Sequence, residues 1–341
     1  MAKRIGTRTV LTEQRPRLIG SAAIVGKKES EGPLASFFDR AYSDTTLGEE
    51  SWEQAESRLQ TEAVETALRK SGCTADQMDY IFAGDLLNQC IGSVFGLRTL
   101  NIPFIGQYGA CSTMAQTLAM ASLFVDSRIA QRAVAVTSSH FCTAERQFRF
   151  PLEYGSLRTP TSQWTVTGSG AMIVAADDPA HRDAPQVAAV TMGRIVDPGI
   201  TDANNMGAAM AAAAADTLEA FLRDTGTAPT DYDRIFTGDL GQIGAQLMDQ
   251  LLLEDGIDIR GRHDDCGLLI FDAAAQSVNA GGSGCGCSAS VLCSYIMHQL
   301  RTGALHRVLF MATGALMSTT SSQQGESIPG VAHLVFIRKE D

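Results

Sequence analysis

The sequence predicts a layered α/β fold built from two similar halves, drawn at residues 1–180 and 181–341. Two observations carry this. First, residues 64–86 (VETALRKSGCTADQMDYIFAGDL) and 218–240 (LEAFLRDTGTAPTDYDRIFTGDL) align without a gap, and ten of the 23 positions are identical. Two copies make a duplicated domain half, not a solenoid. Second, helical and strand patterns alternate on both sides of the duplication, the pattern of mostly parallel sheets covered by helices. A duplicated pair of sheets places a ligand site between the halves, at strand ends.

The elements follow in order. Trp52, Ala55, Leu59, Ala63 and Ala67 recur at helical spacing, and Gly72 suits the cap that ends the helix. Tyr80–Ala83 reads as a short buried strand, with Gly84-Asp85 opening the loop after it. Cys111 opens a small-residue helix to Val125, and the strand Arg132–Thr137 ends at Ser138-Ser139-His140. In the second half, a helix over roughly 206–224 includes the alanine run Ala208–Ala215 and is closed by Gly226. The strand Arg234–Thr237 follows. Gly281–Gly286 opens a helix ending near Leu300, and Arg307–Ala312 is the next strand. Ala171–Ala175, Val187–Met192 and Val331–Ile337 complete the strand set.

Composition narrows the function classes. With 45% hydrophobic residues and 32 glycines, the chain buries a sizeable core and is not disordered. A net charge of −11 argues against nucleic-acid binding. No apolar run reaches spanning length, and the basic start lacks a signal-peptide apolar segment, so a cytoplasmic protein is expected. The eight cysteines are irregularly spaced, without a CxxC pair. Cys285-x-Cys287 with His263 and Cys266 reads as small buried packing in preference to a metal site.

Cys111, in Gly109-Ala110-Cys111-Ser112-Thr113, is the first chemical candidate. A helix start favours thiolate, although a small buried packing residue also fits. His140 suits a partner for a thiolate or an anionic ligand, or a satisfied structural histidine. Arg146 and Arg149 suit a carboxylate clamp or an exposed loop. Asp85 and Asp239 are related by the duplication, which brings them together near the pseudo-axis as an acid/base pair, or makes each a loop cap. Gly168-Ser169-Gly170 and Gly281-Gly282-Ser283-Gly284 offer backbone donors but lack nucleotide-binding spacing.

Taken together, Ala110-Cys111-Ser112, Thr167-Gly168-Ser169-Gly170-Ala171 and Thr313-Gly314-Ala315-Leu316 resemble motifs of the thiolase-fold condensing enzymes, the ketoacyl synthase III and chalcone synthase branch. That resemblance implies a thiolase-like αβαβα sandwich and a homodimer formed by edge pairing of central strands. Enzymes of this branch also use a second-half histidine and asparagine. Their expected places read Gly238-Asp239-Leu240-Gly241-Gln242 and Gly281-Gly282-Ser283-Gly284, so both groups are missing.

Longer strings resemble the stage V sporulation protein AD family. They are Ala83-Gly84-Asp85-Leu86-Leu87-Asn88-Gln89, Thr143-Ala144-Glu145-Arg146-Gln147-Phe148-Arg149, His263-Asp264-Asp265-Cys266-Gly267-Leu268-Leu269-Ile270 and Ala280-Gly281-Gly282-Ser283-Gly284-Cys285. This second resemblance implies a non-enzymatic protein that binds dipicolinic acid (pyridine-2,6-dicarboxylate) for uptake into the developing spore. It also implies membrane-protein partners from the same sporulation operon and peripheral association with the spore or forespore membrane through them. The expected ligand-binding residues are Cys111, Ser112, His140 and Ser283, with Asp85 and Asp239 tolerable to a dianion when protonated or bridged by Ca²⁺. No resident metal or cofactor is expected. The alternative is an acyl transferase or condensing enzyme with Cys111 as nucleophile and His140 as base.

Overall fold

The computed structural model describes residues 2–149, 158–177 and 179–340. The first half contributes β1 (Arg17–Val25), α1 (Trp52–Ser71), β2 (Tyr80–Gly84), β3 (Phe104–Gly106), α2 (Thr113–Asp126), β4 (Arg132–Ser139), α3 (Phe141–Arg149) and β5 (Gly168–Ala175). The second contributes β6 (Gln186–Thr191), α4 (Met206–Thr225), β7 (Arg234–Thr237), α5 (Gly241–Glu254), β8 (His263–Asp265), α6 (Cys285–Val291), β9 (Arg307–Ala315) and β10 (Gly330–Arg338).

The duplication is visible in the strand order. The first half runs β1-β5-β4-β2-β3 and the second β6-β10-β9-β7-β8, and they meet where Gln186 pairs with Arg17. The helix ends repeat as well. Ser51 caps α1 and Gly72 closes it at φ +71, while Asn205 caps α4 and Gly226 closes it at φ +66. Both glycines hold a left-handed turn that other residues adopt only at a cost.

The expected mostly parallel pairing is corrected. In each half three neighbouring strands pair in parallel, but β5 is antiparallel to both β4 and β1, and β10 to both β9 and β6. A parallel return needs a crossover element packed on the sheet, whereas β9 reaches β10 through a loop and one short helix.

Five layers result. α1 covers the outer face of the first array, and α4, with α5 against it, covers the second. Between the arrays lie α2 and α6: α2 packs on its own β4 and β2 and also reaches the other half, and α6 packs on the other half. α2 contacts β9 and β10, while α6 contacts β5, β4 and β1. Every residue of α6 is buried, which its small-residue sequence CGCSASV permits. Gly170 marks this close approach, because a Cβ there would lie 2.3 Å from the Ala289 carbonyl oxygen. The helix expected from Gly281 starts later, at Cys285. Gly282–Ser283 instead pairs as a short strand with Trp164–Thr165, and the helix continues through a π turn, Leu292–Ile296, into Met297–Thr302. Among the described residues, no helix is long and apolar enough to cross a membrane.

Candidate functional site

A cavity of about 580 Å³ opens where the central helices begin. Leu86, Tyr108, Phe148, Met206, Leu316 and Met317 give it large, mostly apolar walls, and Cys111, Ser283, Gln163, Thr165 and Asn204 add polar atoms. Its size suits a small organic molecule.

Cys111 is 7% exposed and sits on a tight turn, Ala110–Ser112, just before α2. Ala110 adopts φ +51 there. The turn is held by Ser112 Oγ donating to the Gly109 carbonyl at 2.6 Å and Thr113 Oγ1 to that of Ala110 at 2.6 Å. Gly314 of β9 presses on it from the other half, since a Cβ at 314 would lie 2.5 Å from the Gly109 oxygen.

Asp239, just past β7, is fully buried and faces this turn. Its Oδ2 accepts from the Gly284 amide at 2.8 Å and Ser283 Oγ at 3.4 Å, and its Oδ1 accepts from Thr313 Oγ1 at 3.0 Å. The Cys111 thiol lies close enough to this carboxyl for each group to shift the other's pKa. Burial pushes the Asp239 carboxyl up to about 7, against the pull of these donors. Burial, followed by the Asp239 charge, pushes the Cys111 thiol well up as well. The helix-start thiolate expected from sequence is therefore not favoured: loss of water and a carboxylate neighbour outweigh the helix dipole. Gly284 makes the arrangement possible. It sits at φ +101, and a Cβ there would lie 2.6 Å from Ser139 Oγ.

Of the expected site residues, Cys111, Asp239 and Ser283 come together. Ser112 is fully buried and supports the Cys111 turn instead of lining the cavity. His140 is placed elsewhere. Its Nε2 donates to the Thr45 carbonyl at 2.7 Å and its Nδ1 accepts the Cys142 amide at 3.1 Å. Burial lowers its pKa, so the ring is a neutral structural bridge and not a base for Cys111.

Asp85 also stays off the cavity wall and does not pair with Asp239. It accepts from the Leu87 and Ser93 amides and from Ser93 Oγ at 2.6–2.9 Å. Its acidic neighbour is Glu56, which accepts from Ser138 and Thr143. Burial, then the charge of Asp85, pushes Glu56 up to about 8. The carboxylates thus sit in separate pockets of protein donors, which leaves no shared pair for a Ca²⁺ bridge. Arg146 pairs with Glu53, and the Arg149 side chain lies outside the described residues, as does Phe150.

Cys285 Sγ donates to the Ser138 carbonyl and Cys287 Sγ to that of Gly238, while His263 is bound to Asp249 and Thr237. Among the described residues, no group of three or more His, Cys, Asp or Glu is placed to hold a metal.

Three residues escaped the sequence reading of the site. Gln163 lines the cavity and donates to the carbonyls of Asp239 (2.7 Å) and Gly282 (2.8 Å). Glu145 lines it from α3, and Arg158 binds Glu145. Glu145 belongs to the string Thr143–Arg149, but no spacing rule links it to Arg158 and Gln163.

The fold has many relatives among solved structures. A 3-oxoacyl-[acyl-carrier-protein] synthase III from Aquifex aeolicus superposes with TM-score 0.59 at 12% identity, covering 95% of this chain and 99% of the other. A Xanthomonas campestris OleA structure gives TM-score 0.60 at 13% identity, covering 96% and 99%. At these identities the likeness establishes the thiolase-like fold alone. Sequence relationship is closer to stage V sporulation protein AD of Bacillus subtilis, 47% identical over 327 residues, 96% of this chain and 95% of that protein. The family profile for stage V sporulation protein AD matches residues 6–338. The chain is therefore a thiolase-fold sporulation protein, and it belongs to the stage V sporulation protein AD family.

Proposed function

We propose that this protein is a non-enzymatic binding protein for dipicolinate in the sporulating cell, taking the ligand into the cavity beside Cys111 during its uptake into the spore. The observation that carries the reading is the buried Asp239 carboxyl set beside Cys111. Condensing chemistry needs a thiolate and donors aimed at a developing oxyanion. Here a buried carboxyl holds the thiol in its protonated form, and Ser283 stands in the expected asparagine segment. What is left is a cavity with flat apolar walls and hydroxyl, amide and thiol donors, the furniture of a ligand site.

Ca²⁺ enters only as the ligand's counter-ion. Attachment to the forespore membrane is assigned to membrane proteins of the same operon. A homodimer is assigned to the β3 edge, where Phe95, Phe104 and Tyr108 are 41–53% exposed beside unpaired strand backbone.

Equilibrium dialysis against dipicolinate, with and without Ca²⁺, tests the ligand. Saturable retention is expected, and none in either condition refutes it. The acyl-transferase alternative rests on the retained cysteine. Intact mass after incubation with acyl-CoA is expected to show no adduct on Cys111.

A further inference from the structure

Among the described residues lining the cavity, Glu145 carries the one formal charge, and it is negative. That is an odd wall for a ligand with two carboxylates. Glu145 is paired with Arg158, a residue not itself among those lining the cavity, whose Nη2 meets Glu145 Oε1 at 2.5 Å, with the two side chains only 21% and 10% exposed. Arg158 is firmly seated. Its Nη1 donates to the Gln163 carbonyl at 2.9 Å. Its guanidinium lies 5.2 Å and 4.9 Å from the ring centroids of Phe141 and Trp164, which stack on each other at 4.0 Å. Through Gln163 it is tied to the backbone of Asp239 and Gly282. A guanidinium fixed this way suits recognition of a carboxylate. At present the carboxylate it holds is the protein's own.

We propose that Arg158 is the carboxylate-recognition residue of this cavity and that Glu145 is its placeholder, displaced when a ligand carboxylate takes the same position on the guanidinium. The proposal rests on the reading that the cavity takes an anionic carboxylate ligand. It makes and breaks hydrogen bonds only. It also accounts for a net negative wall without asking a dianion to sit against an uncompensated carboxylate.

The test is calorimetric titration of wild type, Glu145→Gln, Arg158→Met and Arg158→Lys with dipicolinate and with its neutral diamide. Glu145→Gln removes the competitor and is expected to bind dipicolinate several-fold more tightly, with the diamide unaffected. Arg158→Met is expected to lose on the order of 10- to 100-fold for dipicolinate, the scale of one charge-assisted hydrogen bond, and Arg158→Lys to recover part of it. Thermal melts identify a variant that has not folded, and Glu145→Gln then decides alone. Unchanged or weaker dipicolinate binding by Glu145→Gln overturns the proposal, as does a folded Arg158→Met that binds like wild type. If wild type binds no dipicolinate, the underlying reading falls, and this proposal with it.

Discussion

The thiol of Cys111, at the start of the first half's central helix, lies beside the carboxyl of Asp239, at the end of a second-half strand, close enough for the carboxylate charge to push the thiol pKa up. The contact crosses the duplication. Its counterpart is looser: Asp85 lies near enough to Cys285 to raise its thiol pKa, but donors within the first half hold the Asp85 carboxyl. One half has thus buried its aspartate beside the Cys111 turn, and the other has buried it with Glu56.

The first prediction concerns thiol reactivity. Because burial and Asp239 both disfavour the thiolate, Cys111 is expected to resist iodoacetamide at pH 8 while the partly exposed Cys73 reacts. Asp239→Asn removes the charge and speeds alkylation of Cys111. Peptide mass mapping reads both rates, and fast alkylation of wild-type Cys111 contradicts the assignment.

Ligand affinity should depend on pH through the same pair. Asp239 is pushed up to about 7, so it is largely neutral at pH 6 and ionised at pH 8.5. Ionisation repels a dianion, so affinity is highest below the pKa and falls as pH rises through it. A loss of roughly tenfold between pH 6 and 8.5 corresponds to about 1.4 kcal/mol of repulsion. Asp239→Asn should bind with a flat profile over that range, and an undiminished slope in that variant rules Asp239 out as the titrating group.

Stability should also fall with pH. Glu29, Glu56 and Asp239 are raised to about 7, 8 and 7 by burial, while the unfolded chain ionises them near 4. Their stabilising contribution is complete below about pH 4 and is lost as pH rises through 7 to 8, because the unfolded state releases its protons first. The melting temperature is expected to drop from pH 5 to pH 8. Glu56→Gln should stabilise the protein at pH 8 by about 1–2 kcal/mol and flatten the curve. A melting temperature that rises over this range contradicts the buried-acid assignment.

Packing across the halves gives a fourth test. Gly314→Ala drives a methyl into the Gly109 carbonyl and hence into the Cys111 turn. A cost of about 1–3 kcal/mol is expected in urea unfolding, together with weakened ligand binding. Wild-type stability in this variant shows that the turn is not clamped as described.

Much of the fold was legible because duplication repeats its punctuation: Gly72 and Gly226, and the strands leading to Asp85 and Asp239, stand at one constant offset. Strand direction was not legible, since a buried run such as Gly168–Ala175 reads the same parallel or antiparallel. At the site, Cys111, Asp239 and Ser283 were readable because each follows a strand or opens a central helix. His140 also follows a strand, but backbone partners at Thr45 and Cys142 claim both ring nitrogens, and Thr45 lies far away in sequence. Glu145 with Arg158 was invisible for the opposite reason: either residue alone looks like surface charge, and only the fold seats their ion pair at a cavity wall.

We propose for the cavity beside Cys111 a ligand role and not a catalytic one. The most direct measurement is calorimetric titration of dipicolinate into wild type and into Ser283→Trp, which places a bulky ring at the cavity wall. Saturable binding to wild type, abolished in the folded variant, is expected. Binding that survives in Ser283→Trp, or no binding to wild type, contradicts it.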